Sequence, residues 1–346
     1  MFQADNICCV SDIHIGVHQN SSMWHNITLD WVRWLRDDLR KRDIRDIMIC
    51  GDLFHYRDEI ALPSMQVATE FLSILSDFNI FILPGNHDAY YKDNCQVTSL
   101  SILKGYPNIK IMDTVQTIKY KDTNMLVCPW GTSKDEMVDC DIMFGHFEIS
   151  TFKMNHFKTC TTGVKYNDIL SYTDLVLTGH FHHREERKYK CGDIIYLGNP
   201  FQMDFGDIDC TKGYYILNVP EKKTKFVRNN ISPKHVKIKL SDLADDKQIT
   251  DAVAKKLKNN LVRFNIDLYI MTDDLDLVLR SISKHHPMWL DVEYSVNFNN
   301  FGLEDSSHDL SGVDIMSAID EFINLLEIDN KQQVLEYVSK LYKEVK

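Results

Sequence analysis

Ile80-Phe81-Ile82-Leu83-Pro84-Gly85-Asn86-His87-Asp88 is the stretch from which the fold is read. Its four apolar residues have the length and character of a buried strand, and Pro84 and Gly85 end that strand sharply. An amide, an imidazole and a carboxylate then follow one another where the chain turns, a combination suited to metal and phosphate chemistry. One such turn carries little weight, because Asn, Asp and Gly are turn residues in their own right. The construction recurs, however. Ile7-Cys8-Cys9-Val10 precedes Asp12-Ile13-His14, and Ile47-Met48-Ile49-Cys50 precedes Gly51-Asp52. Ile142-Met143-Phe144 precedes Gly145-His146, and Leu175-Val176-Leu177 precedes Gly179-His180-Phe181-His182. In α/β sheets sites form at the carboxyl ends of strands, so these deliveries gather at one edge of one sheet.

The intervening segments supply the rest of a parallel sheet. Ile27, Trp31, Trp34, Leu35 and Leu39 share one helical face between the first two strands, and strand, helix and strand make the unit of a parallel sheet. Pro63 opens a second helix with Met65, Ala68, Phe71, Leu72 and Leu75 facing the core. The spacing predicts a helix over 94–104 with Leu100 and Leu103 inward. Strands are expected over 109–112, 115–120, 125–128, 194–197 and 214–219, forming a second sheet packed on the first. Beyond Pro220 the character changes. A charged turn (221–225), a strand (236–240), a helix (245–260), a strand (263–271), a helix (274–284) and a strand (289–296) outline a small α/β domain. His285-His286 before Pro287 reads as a helix end. A polar linker (301–312) leads to two amphipathic helices, striped by Ile315, Ile319, Phe322, Ile323 and Leu326 and by Val334, Val338, Leu341 and Val345. The division expected is 1–220, 221–300 and 301–346.

The totals agree with this. A chain of 346 residues, 44% hydrophobic and 26% charged, has the composition of a globular protein with room for a large core. No apolar run reaches membrane-spanning length, and Met1-Phe2-Gln3-Ala4-Asp5 lacks a basic region and an apolar signal core, which argues against export. The 9 cysteines are scattered without a C-x-x-C pair, as expected of reduced thiols in the cytoplasm. A net charge of −11 argues against coating nucleic acid nonspecifically. Bound divalent cations would reverse the local sign, and the basic stretches 183–188 and 222–225 either hold a phosphate backbone or are solvated surface.

The candidate ligands in chain order are Asp12, His14, Asp52, Asn86, His146, His180 and His182. They are oxygen and nitrogen donors with no thiolate, and seven donors suit two ions about 3.5–4 Å apart bridged by a carboxylate. Such donors favour manganese, with iron and zinc as alternatives. Asp-x-His and His-x-His place alternate residues of an extended segment on one side, so both can face one site.

Together, Asp12-x-His14, Gly51-Asp52, Gly85-Asn86-His87-Asp88, Gly145-His146 and Gly179-His180-x-His182 resemble the calcineurin-like metallophosphoesterases. The resemblance covers roughly residues 5–220. It implies an α/β (α+β) fold: a two-sheet β-sandwich flanked by helices, here with a small α/β cap domain and a C-terminal helical pair. Gly51-Asp52-Leu53-Phe54-His55 is similar to the SbcD-type double-strand-break repair nucleases. The length, Pro129-Trp130 and the helical tail most resemble the recombination endonuclease subunits of tailed phages. Gly198-Asn199-Pro200 departs from the family, whose members commonly carry Ser or Thr before the proline.

The resemblance implies that Asp12, His14 and His182 hold one ion, Asn86, His146 and His180 the other, and that Asp52 bridges them. The ions would bind the scissile phosphate and activate the attacking water. His87 would stabilise the transition state or protonate the leaving oxygen, Asp88 would orient His87, and His55 would approach the phosphate of a DNA end. The implied partners are DNA, an SbcC-like coiled-coil ATPase bound through residues 312–346, and a second copy of the chain in a 2:2 complex. No membrane is implied, and the location is the cytoplasm, the host's if the chain is phage-encoded. A phosphoprotein phosphatase or small phosphodiesterase is the alternative enzyme. Phosphatases of this superfamily carry Gly-Asp-x-x-Asp-Arg-Gly and Gly-Asn-His-Glu, and neither motif matches here. An inactive scaffolding subunit is the alternative of another class, against which stands the complete set of ligands.

Overall fold

Side chains along a strand alternate between two faces, and in the motif-bearing strands both faces are buried. Cys8 and Val10 of β1 (Asn6–Val10), Ile47 and Ile49 of β2 (Asp46–Cys50), and Ile80 and Ile82 of β3 (Asn79–Leu83) enter one core. Ile7, Cys9, Met48, Cys50, Phe81 and Leu83 enter another. Double burial is why these runs are continuously apolar. The computed structural model describes residues 4–155, 157–243, 249–268, 270–295, 323 and 331–345.

β1, β2, β3 and β4 (Ile109–Ile111) pair in parallel. The second sheet is built from β5 (Gln116–Tyr120), β6 (Thr123–Cys128), β7 (Ile142–His146), β8 (Leu175–Gly179), β9 (Glu185–Tyr189) and β10 (Gly192–Tyr196). Its order is β5-β6-β7-β8-β10-β9, with β6, β7, β8 and β10 parallel. β11 (Gly213–Asn218) and β12 (Lys223–Arg228) return antiparallel to complete the first sheet as β12-β11-β1-β2-β3-β4. The inner core joins the two sheets, with Met125, Val127, Ile142, Phe144, Leu175 and Leu177 meeting the inner residues of β1–β3. The helices Ser22–Lys41 and Leu62–Ile74 cover the outer face of the first sheet through Trp31, Leu35, Leu39, Ala68, Phe71 and Leu72.

Beyond β12, β13 (His235–Lys239), β14 (Leu261–Ile266) and β15 (Trp289–Tyr294) form a three-stranded parallel sheet. They are connected through the helices Asp251–Leu257 and Thr272–Ser283. The chain divides into two compact units, Met1–Tyr294 and Ser295–Lys346. Of the second, the helix Lys331–Val345 is described, with Val334, Leu335 and Val338 less exposed than Glu336 and Tyr337. The linker 301–312 and the expected first tail helix, apart from Ile323, lie outside the described residues. Among the described residues no helix is long and apolar enough to cross a membrane.

Several local expectations are corrected. Residues 94–104 hold only a 3-10 turn, Ser99–Leu103, although Leu100 and Leu103 are buried as expected. The Asn94 side chain accepts from the Gln96 amide, and such local bonds compete with helix formation. Met65, expected to face the core, is exposed. The basic stretches are charged edge strands, β9 and β12, and charge on an edge discourages pairing with other chains. Several of their cations are already engaged, Lys222 with Asp141 and Lys223 with Glu221 among them. Arg184 donates to Glu186 and to the Tyr215 hydroxyl and lies over Phe226, while Arg187 pairs with Glu185 and lies over Phe152.

Candidate metal centre

The loop after β1 brings Asp12 and His14 together by an unusual backbone path. Both are left-handed, with φ of 56° and 52°. Asp52, after β2, is left-handed at 56°, and His180, after β8, at 95°. For residues other than glycine this conformation costs energy and is held only where the surroundings fix it. The Asp12 amide donates to the Gly51 carbonyl and the His14 amide to the Asp52 carbonyl, so the first two loops are laced together. The Asp12 carboxylate accepts from the His180 amide at 3.2 and 3.3 Å, tying in the loop after β8. Gly51 (φ 93°) lies so close to His146 that a Cβ there would sit 2.3 Å from the ring Nδ1. A Cβ at Gly85 would meet an Asp52 oxygen at 2.1 Å. Both glycines are required by close approach.

All seven candidate ligands converge. Asp12, His14 and His182 present ligand atoms within 4.8 Å of one another, and so do Asp12, Asp52 and His146. His14 Nε2 faces His182 Nε2 at 2.9 Å. The Asn86 amide oxygen faces His146 Nε2 at 3.0 Å and His180 Nδ1 at 2.8 Å. Asp52 lies between the two groups, one oxygen 3.6 Å from His14 Nε2 and 3.4 Å from His146 Nε2. Its other oxygen accepts from the His87 amide at 2.8 Å. His146 Nδ1 faces the Cys50 carbonyl at 2.8 Å; a carbonyl can only accept, so Nδ1 carries the hydrogen and Nε2 points to Asn86 and Asp52.

The electrostatics follow from burial. Burial pushes the Asp12 carboxyl up. It pushes His14 well down, and with the charge of His146 it pushes His180 down to about 3. Burial also opposes the charged form of His146, but Asp52 and Asp12 carry it up to about 9. Asp52, which burial alone would raise, is held well below the carboxylate range by His146 and His14. Imidazoles, carboxylates and one amide oxygen sharing a buried space form a donor set for hard or borderline divalent cations. These residues fit the dinuclear centre that the motifs imply.

His87 and His55 flank the centre. The His87 ring lies 4.7 Å from that of His14, and the His55 ring lies 5.2 Å from it. His87 Nδ1 meets the His55 carbonyl at 2.6 Å, which places the hydrogen on Nδ1 and leaves Nε2 to take or give a proton. Asp88 does not supply that orientation. Its fully buried carboxylate accepts from the backbone amides of Gly85 (3.0 Å), Phe54 (3.0 Å) and Leu53 (3.3 Å). It clamps the loops after β2 and β3 to each other, and the His55 carbonyl is what aims His87.

Other residues support the site from outside the ligand motifs. The Trp130 ring lies 5.1 Å from His180 and 6.0 Å from His146. Glu148 stands 3.9 Å from His180, two residues past His146 in the chain. Buried Lys212 donates to the His182 carbonyl (2.8 Å), to Asp207 (2.5 Å) and to the Asn199 side chain. Asn199 in turn donates to Asp207 at 3.2 Å. The departure at Asn199 is thus part of a buried polar network beneath a ligand loop. Burial would raise the Asp207 carboxyl, but Lys212 and the Met203 amide hold it low. Its stabilisation is present above the ordinary carboxylate value of 3.8 and is lost as pH falls through the lower folded value. Asp207→Ala is expected to cost about 3–5 kcal/mol, because it strands a buried ammonium. Denaturant unfolding at neutral pH measures this, and a loss below about 1 kcal/mol would show that water replaces the carboxylate.

Residues 6–184 match the family described as calcineurin-like phosphoesterase. The chain is 23% identical to exonuclease subunit 1 of Enterobacteria phage T4 over 354 aligned positions, 97% of this chain and 98% of that protein. Among solved structures it is similar to an archaeal phosphodiesterase (15% identity, TM-score 0.38, covering 65% of this chain and 99% of that one). It is also similar to a purple acid phosphatase from yellow lupin seeds (13% identity, TM-score 0.44, covering 65% and 50%).

Proposed function

Because this chain belongs to the calcineurin-like phosphoesterase family of metal-dependent hydrolases with dinuclear centres, we propose that it is a DNA nuclease, acting on duplex ends as an exonuclease and on single strands as an endonuclease. The observation that carries this reading is the end-to-end likeness to a phage exonuclease subunit, spanning 97% of one chain and 98% of the other. Asp12, His14 and His182 would hold one ion, Asn86, His146 and His180 the other, with Asp52 shared and manganese the natural occupant. When bound, such ions supply Lewis-acid stabilisation of a phosphoryl group and acidify water. The chain's own contribution is placement. His87, fixed by the His55 carbonyl, holds or releases a proton at Nε2 toward the leaving oxygen. Asp88 keeps the two loops in register, and the His55 ring meets the phosphate of a DNA end.

The test is an end-labelled linear duplex with manganese and with excess chelator. Cleavage should require manganese and vanish with chelator. Hydrolysis of a plain phosphodiester reporter without any cleavage of DNA would move the chain to the small phosphodiesterases.

In this reading residues 1–220, with β12 completing the sheet, carry the chemistry, 221–300 contact DNA, and 301–346 dock an SbcC-like coiled-coil ATPase in a 2:2 complex in the host cytoplasm. An amphipathic helix is suited to lying in a partner's groove, and the stripe of Val334, Leu335 and Val338 on Lys331–Val345 supports that role. A truncation after Ser311 is expected to keep manganese-dependent cleavage and to lose co-purification with the ATPase. Full-affinity binding by the truncated chain would place the interface elsewhere.

A further inference from the structure

The loop that carries Asp12 and His14 continues through left-handed His18, Gln19 and Asn20 into a second, unassigned place. There a cleft of about 530 Å3 opens between the helix Ser22–Lys41, the turn around Phe205 and the three-stranded sheet. Its walls are aromatic. His18 stacks on Trp24 at 4.6 Å and Trp24 on His235 at 5.8 Å, each pair within 20° of parallel. Phe205 packs edge-on to His235 at 4.8 Å and lies 6.2 Å from Trp289. Trp24 and His235 are buried, whereas Trp289 at the rim is 41% exposed.

The polar groups in the cleft are few and differ in kind. Arg263 lies over the Phe205 ring at 4.2 Å, but its charge is met by Asp291 at 2.9 Å and Glu293 at 3.9 Å. The cleft is therefore not an anion trap. Ser21 and Asp204 line its edge. His235 is 6% exposed, and its Nδ1 has no hydrogen-bond partner, an arrangement that is costly for a buried polar atom. Burial pushes this imidazole down to about 4, so the ring is neutral and can meet a donor or an acceptor.

We propose that this cleft receives one unpaired nucleobase of a single-stranded nucleic-acid substrate, the neighbouring phosphates leading to the centre beside His14 and His55. This rests on the nuclease reading above. A flat, neutral heterocycle offers two faces for the rings and a hydrogen-bonding edge for His235, Asp204 and Ser21, and base–aromatic stacking is how single strands are gripped without sequence readout. The connection to the chemistry is short in the chain, since His18 follows His14 by four residues.

Binding is measured in chelator, where no cleavage occurs, with short oligonucleotides carrying 2-aminopurine at successive positions. One position should show stacking quenching. Making that position abasic should weaken wild-type binding about 5- to 150-fold, the range for loss of one stacked base. Trp289→Ala and Phe205→Leu should weaken binding of the intact strand comparably and remove most of the abasic effect. Trp289 is the safer variant for folding because of its exposure. Equal binding of intact and abasic strands by the wild type, or unchanged binding by both variants, would overturn the cleft while leaving the nuclease reading standing. A wild type that hydrolyses a base-free phosphodiester reporter yet neither binds nor cleaves any oligonucleotide overturns both. Equal affinity for a single deoxynucleotide and for the oligonucleotide would show a free-nucleotide site instead.

Discussion

Asp52→Ala is expected to abolish hydrolysis and empty the centre of ions while the two sheets remain folded. One oxygen of Asp52 lies 3.6 Å from His14 and 3.4 Å from His146, the residues that lead the two donor groups. Changes one shell further out from a metal already cost about 10–100-fold in affinity, so loss of the shared carboxylate should cost more than that at both positions. Asp52→Asn separates charge from packing, because its amide oxygen can still accept the His87 amide that Asp52 accepts at 2.8 Å. Metal content per chain, measured on folded protein, decides the matter. Two ions retained by the alanine variant would refute the shared role.

His87→Ala should behave in the opposite way, keeping its ions and losing turnover by about 10²–10⁴-fold, the usual contribution of a positioned acid–base group. The geometry behind this is the 2.6 Å contact from His87 Nδ1 to the His55 carbonyl, which settles which nitrogen is free. The two variants together separate holding the ions from moving the proton. If His87→Ala loses metal, the ring is a ligand, and the cluster of His14, His55 and His87 would be the place to look for it.

What could be read beforehand was whatever lay close in sequence to a strand end. The apolar runs marked β1, β2, β3, β7 and β8, and the polar residues just after them are the ones that meet. What could not be read came from bonds between distant positions. Nothing around Lys212 announces that it will hold the His182 carbonyl 30 residues away, although the unexpected Asn199 was a trace of that network. β9 was missed because its sequence, Glu-Glu-Arg-Lys-Tyr, has no apolar period, and an edge strand needs none. The turn at 94–104 has the apolar spacing of a helix, but the side chain of Asn94 bonds locally and prevents it. The left-handed backbone at Asp12, His14, Asp52 and His180 leaves no mark in composition, since only Gly51 beside them is a glycine with φ of that sign. The aromatic cleft draws on Trp24, Phe205, His235 and Trp289, too far apart in the chain for any spacing rule to join them.

The seven donor residues do not share one edge of one sheet, as their recurring pattern in the sequence leads one to expect, but hang from the ends of strands in both sheets, β1, β2 and β3 on one side and β7 and β8 on the other. The inner core between the sheets is greasy and directionless, and the cysteines among the described residues are all free thiols. A pair of bound ions would therefore act as a rivet through two plates that are otherwise only pressed together. A ligand that grips the assembled form alone adds its binding free energy to folding, about 2.7 kcal/mol at a hundred times its dissociation constant. Starving this protein of ions would then withdraw that increment of stability together with its chemistry, while the two sheets stay folded.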